Sequence, residues 1–248
     1  MRAAGVVTSV LAVVAVVAVV ALALVVGGLG GRDDGRGDRL SPAGVDRGTP
    51  VTRSVPLASD LDVEPWAART AERIAVPERA LQAHAAAEIA QRAALPACGL
   101  SWTTLAAIGR VESDHGRIGP ARLDDDGVAR PPIIGIPLDG TRGTREIRDT
   151  DGGRLDGDTV YDRAVGPMQF LPTTWARYGA DGDGDGVANP HDLDDAALAA
   201  ARYLCADGRD TASGEGWWDG VLAYNRSVEY ARLVWAAADG YATSSTAP

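Results

Sequence analysis

This chain contains no lysine; all 24 of its basic residues are arginine. That absence removes the P-loop lysine, the Schiff-base lysine and the Ser–Lys dyad from the chemistry open to it. Histidine and cysteine are scarce, three and two among 248 residues, too few for a typical Cys/His zinc site. Positive charge is also in deficit. Thirty-four acidic residues leave a net charge of −10, which argues against binding nucleic acid through its phosphates. What is present is apolar: 46% of the chain is hydrophobic, which excludes wholesale disorder.

Part of that apolar content is concentrated at the start. Residues 6–26 form an uncharged run of Val, Ala, Leu, Thr and Ser. At ~1.5 Å per residue such a run is long enough to cross a hydrocarbon core of about 30 Å. Arg2 and the free amine precede it. A secretory signal has the same charge order with a shorter apolar core, usually about 7–15 residues, and Ala21-Leu22-Ala23 reads as a small-x-small cleavage signal. An uncleaved signal anchor and a cleaved signal both remain open, and either exports the bulk of the chain. Arg32, Arg36 and Arg39 follow the run, so the positive-inside count does not fix orientation. The expected organisation is a signal anchor or transmembrane segment over 1–30, a flexible linker over 31–60, and one catalytic-size domain over 61–248. The linker assignment rests on Gly, Pro, Asp, Arg and Ser without a period. The cytoplasmic membrane is then one partner, with the domain on its extracytoplasmic side.

The cysteines agree with export. Cys98 and Cys205 are far apart and no CxxC is present. In an oxidising compartment two cysteines in one domain pair; the alternative is two buried free thiols. A bridge closing a loop of roughly 100 residues is worth ~4–5 kcal/mol in the chain-entropy account.

The spacing of apolar residues predicts a mostly α domain with long irregular loops. Helical signals start near Val63. Pro77 suits a first helical turn, and Leu81, Ala85, Ile89 and Ala93 recur on one face until Pro96 ends the helix. Ser101 can cap a helix that starts at Trp102. Leu105, Ile108 and Gly109 lie on its apolar face, and Glu112 falls on the same face. Residues 117–163 have many Gly, Asp, Arg and Pro and no sustained period, which marks a long functional or disordered loop. Helical signals return over 173–178, 195–205, 217–225 and 228–239.

Four features can carry chemistry. Glu112 ends an apolar stripe, so burial should raise its pKa, as required of an acid that protonates a glycosidic oxygen. The plainer alternative is a helix-end Glu paired with Arg110 or Arg117. In Gly166-Pro167-Met168-Gln169-Phe170, Gln169 can bond sugar hydroxyls or an acetamido group, and Met168 and Phe170 can cover a sugar face; a buried turn is the alternative. Ala223-Tyr224-Asn225 closes a helix opened by Trp217-Trp218 and is either a recognition element or core aromatics plus a cap. The fourth is the stretch 181–192, Asp-Gly-Asp-Gly-Asp-Gly-Val-Ala-Asn-Pro-His-Asp. Oxygen donors at Asp181, Asp183, Asp185, Asn189 and Asp192, with Gly186 at the sixth place and a carbonyl at Val187, follow EF-hand spacing. The last place is normally a Glu, and an acidic turn is the alternative to a calcium site.

Taken together these segments resemble the lytic murein transglycosylases, specifically the membrane-bound lytic transglycosylase B-like group of Gram-positive (actinobacterial-type) exported proteins. The resemblance runs from about Ile74 to Tyr241. It rests on residues 74–81 (Ile-Ala-Val-Pro-Glu-Arg-Ala-Leu), 98–102 (Cys-Gly-Leu-Ser-Trp), 108–116 (Ile-Gly-Arg-Val-Glu-Ser-Asp-His-Gly) and 158–170 (Asp-Thr-Val-Tyr-Asp-Arg-Ala-Val-Gly-Pro-Met-Gln-Phe), with the acidic loop and Ala223-Tyr224-Asn225. It implies a lysozyme-like fold with a peptidoglycan-binding groove and non-hydrolytic cleavage of the MurNAc–GlcNAc bond. Glu112 would protonate the leaving oxygen. As a carboxylate it would then take the proton of the MurNAc 6-hydroxyl, which attacks its own anomeric carbon to leave a 1,6-anhydro end. Met168, Gln169, Tyr224 and Asn225 would hold sugar rings, and Ser113 would help orient the acid. A calcium loop ending in Asp also occurs in that family, so Asp192 is less of a departure than its shorter side chain suggests; the Arg/Asp-rich stretch 120–158 is a departure.

Other classes stay in view. A lysozyme-type hydrolase would need a second carboxylate, for which Asp114, Asp156, Asp158 and Asp162 are available. A non-catalytic glycan-binding protein would need a degenerate site, whereas Glu112 is intact. A calcium-regulated, membrane-tethered module would take another protein as its partner.

Overall fold

The computed structural model describes residues 44–245. The apolar run at 6–26, and with it the expected anchor, lies outside the described residues. Among the described residues no helix is long and apolar enough to cross a membrane.

Among the described residues seven α-helices carry the fold: α1 (Val63–Ile74), α2 (Glu78–Ala94), α3 (Trp102–Ser113), α4 (Pro172–Tyr178), α5 (Leu193–Leu204), α6 (Gly214–Tyr224) and α7 (Val228–Ser245). The strands are short, β1 (Arg122–Leu123) and β2 (Ala129–Arg130), paired antiparallel with Arg122 opposite Arg130 and Leu123 opposite Ala129. The mostly α expectation therefore stands; helix ends fall within about three residues of those predicted except that α7 runs six residues past residue 239.

α3 is the centre of the body. It packs most extensively on α7, while α2 packs on α5 and also touches α1 and α3. Ten of its twelve residues are buried, which leaves almost no solvent face. A helix so enclosed needs its terminal N–H groups satisfied internally. Ser101 caps it by accepting from the Thr103 N–H, as predicted. Glu88 on α2 accepts from the Trp102 N–H through Oε2 at 2.7 Å. Its Oε1 accepts from the Leu57 N–H and from Arg92. A buried carboxylate thus ties three parts of the chain at the positive end of a helix.

Residues 44–60 do not behave as the flexible linker expected of them. Val45 and Leu57 are buried in the main core. The Thr49 carbonyl accepts from the indole N–H groups of both Trp218 and Trp235. Arg47 pairs with Asp219, and the Arg232 guanidinium donates to the Val45 carbonyl. These contacts strap the segment across α6 and α7, so the linker reading fails over this stretch.

Cys98, in a 3-10 turn at Pro96–Cys98, is bonded to Cys205 at the end of α5, with Cα atoms 5.5 Å apart. The bridge joins the entrance of α3 to the far end of α5.

The loop region 117–163 is ordered by its own aspartates. Asp149 Oδ1 accepts from the N–H groups of residues 151, 152 and 153. Asp151 accepts from 154 and 155, and Asp158 from 160 and 161. Asp156 accepts from the N–H groups of 158 and 163. Side chains replace a ladder as backbone partners here, the known talent of Asp in turns. Isolated bridges, Asp139 with Glu146, Arg148 with Tyr161 and Ile134 with Val165, then lay the loop beside the end of α3.

Candidate active site

Glu112 occupies the last turn of α3. Its side chain is buried, and burial pushes its carboxyl up to about 8. Tyr230, in the first turn of α7, donates from its hydroxyl to Glu112 Oε1 at 2.6 Å, a bond that pulls the value down but does not offset burial. Neither Arg110 nor Arg117 pairs with Glu112; Arg117 pairs with Asp114 instead. The plain ion-pair reading of Glu112 is therefore not what the structure contains.

Glu112 opens onto a cleft of about 550 Å³. One wall comes from Ile118, Pro120 and Ala121, the other from residues 131–138, notably Ile133, Ile134 and Ile136. Part of the Arg/Asp-rich stretch 120–158, the departure from the resembled family, thus forms the wall of the cleft. Among the described residues Glu112 is the one carboxylate in its lining, and Arg142 the one other charged residue. The aspartates considered as second carboxylates are engaged elsewhere. Asp156 and Asp158 hold loop backbone, and Asp162 accepts from the Thr150 N–H and hydroxyl.

The end of α3 is fixed by a sharp turn. Asp114, His115 and Gly116 all have positive φ, 51°, 58° and 80°. Two non-glycine residues in that region store strain, which the surroundings must hold. Ser113 supplies part of the hold. Its Oγ donates to the Pro167 carbonyl at 2.5 Å and accepts from the Gly116 N–H at 2.8 Å. Ser113 pins the helix end, and with it Glu112, to the facing turn; it is itself buried.

That facing turn is 165–170. Val165 and Phe170 exchange backbone hydrogen bonds around Gly166-Pro167-Met168-Gln169. Gly166 has φ of 77°, and a Cβ there would lie 1.7 Å from the Pro190 carbonyl oxygen, so only glycine fits. Of the turn residues, only Gln169 lines the cleft; its Nε2 donates to the Gly166 carbonyl. Met168 is fully buried and Phe170 nearly so. Their side chains fill core instead of covering a sugar, because the turn directs them inward against α4 and α6. Phe170 packs edge-on against Trp175 and Tyr224.

Tyr224 donates to the Met168 carbonyl at 2.7 Å, and its phenol is held well above its ordinary value by burial. Asn225 is buried, with Oδ1 accepting from the Ser227 N–H. Both brace the site from behind; neither lines the cleft. Sequence reasoning did not single out Tyr230. Its signal was there, since it shares a helical face with the buried Val234 and Tyr241. Nothing in the spacing, however, says which partner a buried tyrosine will find.

The acidic loop departs from strict EF-hand spacing. Carboxylate oxygens of Asp181, Asp183 and Asp195 lie within 4.8 Å of one another. Asp192, expected as the closing ligand, instead caps α5 by accepting from the Asp194 N–H at 2.8 Å. Asp195, one turn further on, turns inward and accepts from the Gly182 and Asn189 N–H groups. Asp185 accepts from the Val187 N–H. The donor set, hard carboxylate oxygens on a glycine-rich turn, fits a calcium-type cation.

Comparisons with known proteins come down to two likenesses. Residues 154–218 match the family described as "Transglycosylase SLT domain". The fold is distantly similar to the Escherichia coli lytic transglycosylase Slt35, solved in complex with bulgecin A: 16% identity, TM-score 0.40, covering 74% of this chain and 80% of that one. No curated protein matches. The transglycosylase SLT match supports an enzyme of the lytic murein transglycosylase type.

Proposed function

We propose that this chain is an exported peptidoglycan lytic transglycosylase of the membrane-bound lytic transglycosylase B-like, Gram-positive type, with a lysozyme-like catalytic domain. One observation carries the chemistry: Glu112, raised to about 8 by burial, is the sole carboxylate lining the cleft. An acid that is neutral at pH 7 can give its proton to the oxygen between MurNAc and GlcNAc as the C1–O bond breaks. The GlcNAc product leaves with that proton on its 4-hydroxyl. Glu112, now a carboxylate held by the Tyr230 hydroxyl, accepts the proton of the MurNAc 6-hydroxyl. The freed oxygen closes on C1 to give the 1,6-anhydro ring, and no water is consumed. A hydrolase of the same bond would ordinarily place a second carboxylate about 5–9.5 Å from the first. The cleft lining supplies none, which favours the internal 6-hydroxyl as nucleophile.

The apolar walls suit sugar-ring faces, and Gln169 offers an amide to hydroxyl or acetamido groups. A calcium ion bound by Asp181, Asp183 and Asp195, with the Val187 carbonyl, would neutralise the loop that leads into α5. Its role is structural, because none of these residues lines the cleft. Residues 6–26 would hold the enzyme at the outer face of the cytoplasmic membrane, or be removed to release it.

The test is Glu112→Gln on purified wall. The account predicts that solubilisation of peptidoglycan is lost while binding persists. If the variant still solubilises wall, Glu112 is not the acid.

A further inference from the structure

The stretch 117–163 contains more arginines than its geometry uses. Arg122 donates to the carbonyls of 117, 119 and 121. Arg130 pairs with Asp124, Arg148 with Glu146 and Arg163 with Asp158. Arg142 differs. Among the described residues its guanidinium has neither a hydrogen bond nor an ion pair, yet it lines the same cleft as Glu112. Arg142 is exposed; the nearby Asp139 feels its charge without bonding it, and Asp139 Oδ1 accepts from the N–H and hydroxyl of Thr141.

The turn that carries Arg142 is built, not loose. Thr144 donates from both its N–H and its hydroxyl to the Thr141 carbonyl. Arg142 and Gly143 both have positive φ, 51° and 80°, and Asp139 bridges Glu146 across the base. A non-glycine residue in that conformation is uncommon and persists when its surroundings impose it.

We propose that Arg142 recognises a carboxylate on the muramyl side arm of the glycan strand bound in the cleft. This rests on the peptidoglycan reading above and adds to it the group that is read. With Glu112 uncharged at pH 7, Arg142 is the only charge in the cleft lining. A planar guanidinium matches a carboxylate through two parallel N–H bonds, and apolar walls that shed water strengthen such a pair. MurNAc differs from GlcNAc by a lactyl ether that ends either in its own carboxylate or in a peptide bearing carboxylates. Both sources present the same chemistry, and the substrate can distinguish them.

The experiment measures binding in the Glu112→Gln background, so that no turnover intervenes. Four ligands are compared: glycan strands stripped of peptide, strands carrying peptide, and each of these with its carboxylates converted to methylamides. Adding Arg142→Ala is expected to weaken binding of the carboxylate forms about 5–10-fold and to leave the methylamides unchanged, with Arg142→Lys restoring part of the loss. A loss confined to peptide-free strands identifies the lactyl carboxylate; one confined to peptide-bearing strands identifies the stem peptide. Equal effects on acid and amide forms, or no effect, overturn the proposal while leaving the peptidoglycan reading in place. Failure of all four ligands to bind the Glu112→Gln protein overturns both.

Discussion

A carboxyl group that sits in the protein near 8, against 4.5 when exposed, carries a stability penalty with a definite pH signature. Because the folded value is raised, the stability Glu112 contributes is full below about pH 4.5 and is lost as pH rises towards 8. Gln at that position does not titrate. Glu112→Gln is therefore expected to be more stable than the wild type at pH 7, by about 2–4 kcal/mol, and equal to it near pH 4. Thermal melts at the two pH values decide this; a less stable variant at pH 7 would show that the carboxyl is not a buried neutral acid. Tyr230→Phe removes the one hydroxyl that donates to Glu112 Oε1. Since that bond lowers the value, its loss should move the alkaline limb of the pH–rate profile upward and cut the rate about tenfold or more. An unmoved limb would remove Tyr230 from the site. At this scale the burial of Glu112 was legible, because an acid on an apolar stripe can be read from spacing; the acid role assigned to it came from the family resemblance. Tyr230 and the inward roles of Met168, Tyr224 and Asn225 were not, because spacing gives a buried face but not the atom that faces it.

At the scale of elements, helices were legible where caps and breakers agreed with periodicity: Ser101 before α3, and Pro96 just after α2. The wall of the cleft was not. Its order comes from backbone bonds between residues far apart, Gly135 N–H to the Ala164 carbonyl, Leu138 N–H to the Asp162 carbonyl and Gly166 N–H to the Ile133 carbonyl, which leave no period to detect. Many of the aspartates over 124–158 bond loop backbone, Asp149, Asp151, Asp156 and Asp158 among them. The geometry of the acidic loop was half legible. Asp181 and Asp183 were found, but Asp192 was taken for the closing ligand when it is the cap of α5, and Asp195 lies on the helix beyond. This makes a paired prediction. EDTA should lower the melting temperature of the wild type. Asp195→Asn should lose that response, and Asp192→Asn should keep it with little change in stability, because Asn caps a helix about as well as Asp. A wild type indifferent to EDTA would remove calcium from the account, and loss of the response in Asp192→Asn alone would restore the strict EF-hand reading.

For the whole molecule, the consequence of the strap is that the domain begins earlier than composition suggested. Residues 44–60 look like linker by their Gly, Pro and Ser, but they bury Val45 and Leu57 and satisfy two tryptophan indoles. Composition misleads here because a segment can pack with two apolar anchors and a few carbonyls. Removing residues 44–60 should lower stability by about 3 kcal/mol or more, read as a shifted denaturant midpoint with the Cys98–Cys205 bridge intact. A truncated chain as stable as the original would return the segment to the linker. The strap and the bridge both hold the helices around α3, and so fix the acid at the cleft mouth. The central claim concerns what that acid does, and product mass after digestion of purified peptidoglycan tests it most directly. The account predicts glycan ends lighter than reducing ends by one water, from 1,6-anhydroMurNAc, formed by the wild type and absent with Glu112→Gln. Reducing ends alone, from an enzyme that depends on Glu112, would contradict it and make this a hydrolase.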